Sequence, residues 1–267
     1  MSQQSLHAFY EPNLRLTRAY GLLGYNAGYA QNRSEGSFDQ HQKDLVWRLI
    51  GNVPITPEST VLDVGCGIGG PSSWIFERFR PARVMGLEFC PSSVRAAERN
   101  WTGKASRPYF IHGDAHHLPF PNDSVDVIFN LESALHYSDK NRFIAECHRV
   151  LKPGGTLCLG DICTRWRRTF RCFEMLDNVA GQFSTQSHLW SPDQYREAFD
   201  ANRFELVRYE DVTQGASDSL YGGLMMIGKK GWKAAKGFRG RFFYLRFVEW
   251  LLRFRLMSYD LFNVVKK

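Results

Sequence analysis

The stretch VLDVGCGIGGPSSW, Val61–Trp74, decides how the chain is read. A short apolar run ends in Asp63–Val64 and breaks into glycines at 65, 67, 69 and 70. Gly65 allows a sharp turn off a strand. Gly67 removes a Cβ, so that the backbone can lie against a ligand. Gly69 and Gly70 permit close packing as the next helix begins, and Pro71 suits a first helical turn, where its missing N–H is no loss. Helix N-terminus and glycine amides together favour a negative group nearby.

Outward from this stretch the pattern alternates. Strands are expected at 60–64, 83–88, 109–114, 125–130, 156–162, 204–212 and 259–265. Helical spacing is expected over 71–79, over a capped segment at 91–100 and over 139–151, where Phe143, Ile144, Cys147, Val150 and Leu151 share a face and KPGG (152–155) stops the helix. Strands alternating with helices imply a parallel sheet covered on both faces. Residues 1–55 read as helical, and SPDQY (191–195) as a helix start with a serine cap and a proline in the first turn.

Ligands of such sheets bind beyond the carboxyl ends of the strands. Gly65, Gly67 and Gly70 satisfy the dinucleotide spacing GxGxxG, which is weak alone. Asp63, two positions before the first glycine, would repel a pyrophosphate and suits a cationic group. Glu88, eighteen residues after Gly70, is placed to accept from two ribose hydroxyls. A ligand with a ribose, an amino group and a modest anionic group fits S-adenosylmethionine better than NAD.

With these residues in view, the chain resembles the class I S-adenosylmethionine-dependent methyltransferases over about Val61–Ile162. VLDVGCGIGG is similar to the family's first motif, VMGLEF to the second, GDAHHLPFPNDSVDVIFN to the third and fourth, and RVLKPGGTLCLGD to its fifth-strand signature. The resemblance implies an α/β Rossmann-like fold, a seven-stranded sheet of order 3-2-1-4-5-7-6 with the seventh strand antiparallel and a helical cap. It implies S-adenosyl-L-methionine as cofactor, with Glu88 and Phe89 after the second strand, Asp114 on the adenine amino group and Ala115 against the ring. GYNAGY (24–29) is similar to a lid segment of the small-molecule branch, in which Tyr25 closes over the methionine end; the alternative is that Tyr20, Tyr25 and Tyr29 pack a helix. The expected organisation is a single domain, 1–267, with a helical lid (1–55), a cofactor-binding core (56–163) and acceptor-side insertions (164–203 and 213–258).

An alcohol or phenol acceptor must lose a proton during methyl transfer. Asn130 falls where, by resemblance, cofactor and acceptor meet. Glu132 and His136 are four apart and share a face if that segment is helical. His136 is the candidate general base, with Glu132 orienting it or holding the cofactor. His112, His116 and His117 read as structural or loop histidines. RWRRTFR (165–171) is a wet helix face or a receiver for an acidic acceptor, and Phe183, His188 and Trp190 are candidate cavity walls.

The bulk numbers agree with an enzyme of this kind. The chain has 267 residues, 43% hydrophobic and 14% aromatic, which suits one domain with an ample core. Its net charge of +7 is uneven: residues 229–267 hold eleven Lys/Arg against two acids, leaving −2 for the rest. Within 237–257 the arginines at 239, 246 and 253 repeat by seven beside Glu249, in a helix too apolar for an ordinary surface. It is either buried as part of an acceptor lid or meets a lipid or partner. The six cysteines form no CxxC pair and no zinc spacing, and no metal is expected. Without a signal-peptide pattern or an apolar run of membrane length, a cytoplasmic protein is expected, with peripheral membrane association open.

The expected function is therefore methyl transfer to a small, fairly apolar acceptor, a natural product or lipid-like molecule, with O-methylation leading. The alternatives are C-methylation of an isoprenoid or aromatic ring, and a non-enzymatic cofactor-binding partner protein. A nucleic-acid partner is not expected, because NLES (130–133) stands where such enzymes carry N/D-P-P-Y/F. The oligomeric state stays open.

Overall fold

The computed structural model describes residues 14, 15, 17, 18, 20–32, 36–103, 108–165, 188–229 and 239–267. In chain order the elements are α1 (Phe38–Ile50), β1 (Thr60–Val64), α2 (Gly70–Phe79), β2 (Arg83–Glu88), α3 (Pro91–Trp101), β3 (Tyr109–His112), β4 (Val125–Leu131), a 3₁₀ turn (Ala134–His136), α4 (Lys140–Val150), β5 (Leu151–Thr164), α5 (Pro192–Ala201), β6 (Phe204–Asp211), α6 (Thr213–Lys229), α7 (Arg239–Arg253) and β7 (Met257–Lys266).

The sheet runs β3-β2-β1-β4-β5-β7-β6. The first five strands are parallel, and β7 inserts antiparallel between β5 and β6. Both the order and the reversed strand match expectation. β1 pairs on both sides and is buried on both faces, as suits its apolar Val61, Leu62 and Val64, with Asp63 buried among them. Leu45 and Leu49 of α1, Ile75 of α2, Leu220 of α6 and Leu251 of α7 cover one face, against Val61, Phe129, Tyr259 and Leu261. Phe143 and Cys147 of α4 and Tyr195 and Phe199 of α5 cover the other, against Leu62, Ile128 and Phe262.

Local chemistry sets the helix boundaries. Asp139 caps α4 by accepting from Arg142 N–H at 2.9 Å. Ser191 and Gln194 form a reciprocal capping box at the start of α5, behind Pro192. The cap expected for α3 is absent as a side-chain bond: Cys90 stands at that position and its N–H goes to Glu88 instead.

Two expectations change. KPGG does end α4, but it lies inside β5, not before it: Val125 pairs with Leu151 and Val127 with Thr156, so the jump in register takes up the extra residues. Gly154, at φ +75°, makes this excursion possible. The N-terminal region is also not helical throughout. Residues 22–30 form an irregular segment across the carboxyl edge of the sheet, so Tyr25 and Tyr29 are not themselves in a helix, although the Tyr29 ring packs against Arg48 of α1 and Gly215 of α6.

Close approach explains two of the glycines, by that segment at Gly70 and by β3 at Gly69. A Cβ on Gly70 would lie 2.0 Å from the Leu23 carbonyl oxygen, and one on Gly69 would lie 2.5 Å from the Phe110 ring. Gly69 (φ +81°) and Gly103 (φ +82°) share a backbone conformation, but nothing lies within 4 Å of a Cβ at Gly103. Both alanine substitutions therefore carry the left-handed penalty of about 1–2 kcal/mol, and Gly69→Ala adds an overpacking cost of about 1–3 kcal/mol. Urea unfolding should show Gly69→Ala clearly less stable than Gly103→Ala; equal losses would refute the packing role.

Candidate active site

The glycine loop between β1 and α2 is fastened before any ligand is considered. Gly65 N–H donates to Leu87 O at 2.7 Å, and Gly67 N–H to Glu88 Oε2 at 3.0 Å. The other oxygen of Glu88 accepts from Cys90 N–H at 2.8 Å. Glu88, buried at the end of β2, thus holds both the loop and the start of α3. The bare backbone first meets the protein itself: a Cβ on Gly65 would lie 1.8 Å from Ser133 Oγ, and one on Gly67 would lie 2.9 Å from the Tyr25 ring. The Tyr25 ring therefore lies over the loop. Asp63 is 2% exposed and accepts from the Ser72 hydroxyl at 2.6 Å, tying β1 to the first turn of α2.

Beyond β3, Asp114 accepts from both the backbone N–H and the ring Nδ1 of His116, at 2.9 and 2.7 Å. Burial opposes its ionisation, but these bonds and the neighbouring His116 and His117 hold its carboxyl below the usual range. Ala115 is buried in the core beside Leu118. Phe89 is exposed and faces the His112 ring, whose Nε2 lies 3.1 Å from the Phe89 carbonyl. His116 is thus a loop-fixing residue, and His117 is exposed.

At the end of β4, Asn130 is buried and its Nδ2 donates to Val64 O at 2.8 Å and to Tyr137 Oη at 3.2 Å. Tyr137 Oη and Ser133 Oγ are 2.5 Å apart. Only Ala134–His136 is helical here, so Glu132 and His136 do not share a helix face as the spacing suggested. Glu132 stands at φ +50°, a left-handed conformation rare outside glycine. Its Oε1 accepts from Ala27 N–H at 2.5 Å and from Tyr259 Oη–H at 2.8 Å. His136, half-buried, follows in the 3₁₀ turn, its N–H on Ser133 O.

Tyr259 was not singled out by any motif. It lies on β7 opposite Ile162 and reaches past β5 to Glu132. The lid segment is held by more than this carboxylate: Gln42 Nε2 donates to Asn26 O at 2.8 Å, Tyr29 N–H to His41 O at 2.8 Å, and Ser219 Oγ–H to Ala27 O at 2.7 Å. Of the proposed cavity walls, Trp190 packs on Tyr195 and Lys140, while His188 N–H donates to Leu135 O and its carbonyl accepts from Lys140 Nζ. Arg165 pairs with Asp211; residues 166–171 and Phe183 lie outside the described residues.

Buried acids dominate the electrostatics. Burial pushes Asp63 up to about 7, with Glu88 adding repulsion against the relief from Ser72. Glu88 is raised by burial against the bonds from Cys90 and Gly67. Burial also takes Glu132 up to about 7 and Asp161 to about 6. A cation arriving here relieves this repulsion, and Asn130 Oδ1 is a buried acceptor without a hydrogen-bond partner. The residues present therefore fit a ligand carrying amino, sulfonium and ribose groups. Among the described residues no group of three or more His, Cys, Asp or Glu is placed to hold a metal ion.

A family profile described as "Methyltransferase domain" matches residues 62–159. Methyltransferase GfsG of Streptomyces halstedii is 31% identical over 216 residues, 77% of this chain and 74% of that protein. The chain belongs to the class I S-adenosylmethionine-dependent methyltransferases. The family's cofactor is S-adenosylmethionine. Erythromycin 3''-O-methyltransferase of Saccharopolyspora erythraea is 36% identical over 139 residues, but the match spans 51% of this chain and 45% of that protein. In fold, the methyltransferase chain is similar to the [4+2]-cyclase SpnF, with a TM-score of 0.81, 23% identity, and 100% and 96% of the two chains covered.

The raised carboxyl of Glu132 gives a signed pH dependence. The folded chain binds its proton more tightly than the unfolded chain does. Its contribution to stability is therefore present below the ordinary carboxyl range of 4.5 and is lost as pH rises through about 7. A shift of this size corresponds to roughly 3 kcal/mol. Glu132→Gln keeps the acceptor oxygen and removes the titration, so urea unfolding across this range should show a shallower fall in stability for ligand-free Glu132→Gln. Superimposable curves would place the titration elsewhere.

Proposed function

We propose that this methyltransferase moves the methyl group of S-adenosylmethionine to a hydroxyl of a small, fairly apolar acceptor. The supporting observation is the convergence, along the carboxyl edge of β1, β2 and β4, of the loop held by Glu88 with the segment Asn130–His136. When bound, the cofactor supplies an electrophilic methyl on a sulfonium leaving group. Glu88 accepts from the ribose hydroxyls, and Asp63 attracts the amino group. Asp114, Phe89 and Ala115 receive the adenine. Gly65 and Gly67 line the methionine end, and Tyr25 closes over it. Asn130 presents its unpartnered Oδ1 to the same end. His136 would take the proton of the acceptor hydroxyl as the methyl leaves S-adenosylhomocysteine behind, and the protein would supply alignment and exclusion of water. Glu132 fastens the lid through Ala27, and α6, α7 and residues 188–190 flank the acceptor side.

The Glu132–Tyr259 pair favours a second reading, C-methylation. A carboxylate and a phenol held together at the mouth can stabilise positive charge on an alkene or aromatic ring, and His136 then takes a carbon-bound proton. Incubation with methyl-labelled cofactor and a panel of hydroxylated macrolides, phenols, fatty acids and alkenes separates the readings. O-linked label supports the first, and C-linked label the second. Acceptor turnover without label would instead point to a reaction of the type named for the structural neighbour, and cofactor binding without any turnover to a partner protein.

Two substitutions test the residue roles. Glu88→Ala should weaken S-adenosylhomocysteine by roughly thirty- to several-hundred-fold in calorimetry, from losing about 2–4 kcal/mol of charge-assisted bonds. Unchanged affinity would remove the ribose from this site. His136→Ala should lower turnover by about 10²–10⁴-fold with S-adenosylhomocysteine affinity unchanged, and abolish the ascending limb of the pH–rate profile. Near-normal turnover in a folded His136→Ala protein would return this histidine to a structural role.

A further inference from the structure

The outer face of α7 is not explained by methyl transfer. Phe243, Phe247, Trp250 and Phe254 recur at helical spacing and are 65%, 37%, 44% and 58% exposed. Their rings form one stripe, with Phe247 stacked on Trp250 and Trp250 against Phe254 at centroid separations of 6.0 and 5.1 Å. The opposite face of the helix, with Val248, Leu251 and Leu252, is in the core. The apolar sequence of α7 thus has two separate uses. One face is buried in the core, while the other leaves a contiguous aromatic surface in water.

Charge selects the occupant. Residues 229–267 contain two acids, Glu249 and Asp260, and these are 2% and 0% exposed. Glu249 faces Arg246 at 3.6 Å, and Asp260 is held by Ser258 and Tyr209. Glu249 thus offsets Arg246 alone, and Asp260 offsets none of the positive charge at the surface. Arg246 and Arg253 flank the aromatic stripe on one side of the helix, and Arg255 follows it, paired with Asp211. The chain immediately before the stripe, residues 229–241, adds four lysines and two arginines and no acid. Among the described residues no helix is long and apolar enough to cross a membrane. Aromatic rings set along one line, with guanidinium groups beside them, match a helix lying in the plane of a bilayer interface.

We infer that α7 is a peripheral docking surface for an anionic lipid bilayer, with Phe243, Phe247, Trp250 and Phe254 entering the headgroup boundary and Arg253 meeting the lipid phosphates. This rests on α7 alone and not on the acceptor chemistry, so it stands or falls separately from the transfer reaction.

Sedimentation of the full chain with phosphatidylcholine vesicles, with and without phosphatidylglycerol, tests it. Pelleting is expected with the anionic vesicles and not with phosphatidylcholine alone. Phe243→Ser/Trp250→Ser/Phe254→Ser should lower the partition coefficient by at least about tenfold. Arg253→Gln should lower it about fivefold at low salt, with the difference shrinking at high salt. These side chains are outside the core, so thermal midpoint and S-adenosylhomocysteine affinity should hold in both variants and certify that they fold. Failure of the unaltered protein to pellet at low salt overturns the inference. So does equal pelleting on neutral vesicles, or undiminished pelleting of the folded triple variant. If the unaltered chain instead self-associates in sedimentation velocity and the triple variant does not, without any pelleting, the occupant is a second copy and the bilayer is excluded.

Discussion

The hydrogen bond from Ala27 N–H to Glu132 Oε1 holds the site together. It joins residues 105 apart in sequence and fixes the lid segment against the carboxyl end of β4. Glu132 can make it because its backbone turns left-handed at φ +50°, directing the carboxylate toward the lid. A non-glycine residue in that conformation stores strain, of order 1–3 kcal/mol. Three contacts offset that cost: Glu132 N–H on Gly160 O, Ala27 N–H, and Tyr259 Oη–H on the carboxylate. The strain sits at the carboxyl end of β4, beside residues 22–30.

The same economy of contact explains the glycines. Gly70 is approached by the Leu23 carbonyl, Gly67 by the Tyr25 ring and Gly28 by Ser219 Oγ. Each missing side chain lets the lid lie against α2, the loop or α6. Residues 22–30 thereby lie close against the glycine loop, held by α1 through Gln42 and His41 and by α6 through Ser219. A ligand between lid and loop is enclosed by backbone, which has few degrees of freedom left to lose on binding.

What could be read from the sequence follows the range of the forces involved. β1 and β2 were legible at 60–64 and 83–88 because short, largely apolar runs stand between turn residues. The strand order was legible because four motifs in series resemble a known family. KPGG was misplaced because a β-bulge depends on the neighbouring strand, which local composition does not encode. Residues 22–30 read as helical with the rest of 1–55, but their conformation is set by partners at positions 41, 42, 132 and 219. Tyr259 was invisible for the same reason. Its meeting with Glu132 needs β7 reversed beside β5 with Tyr259 opposite Ile162, and no spacing rule joins residues 127 apart. A tyrosine opening a buried strand was the one available signal.

The placement of charge completes the logic. Asp63, Glu88, Glu132 and Asp161 all lie near the carboxyl ends of β1, β2, β4 and β5, and burial raises all four. Glu88 raises Asp63 further, and Asp161 raises Glu132. Lys140, close to Asp161, is itself driven by burial down to about 8, so it relieves only part of this excess. An edge built this way works against a pyrophosphate, whatever the glycine spacing allows, because each added negative charge would meet carboxylates already resisting ionisation. A ligand bringing an ammonium and a sulfonium reverses the balance: it lowers the pKa of the acids around it and makes their ionised forms favourable. The acid at position 63 separates two readings of one GxGxxG spacing because charge discriminates between ligands that backbone geometry alone admits equally.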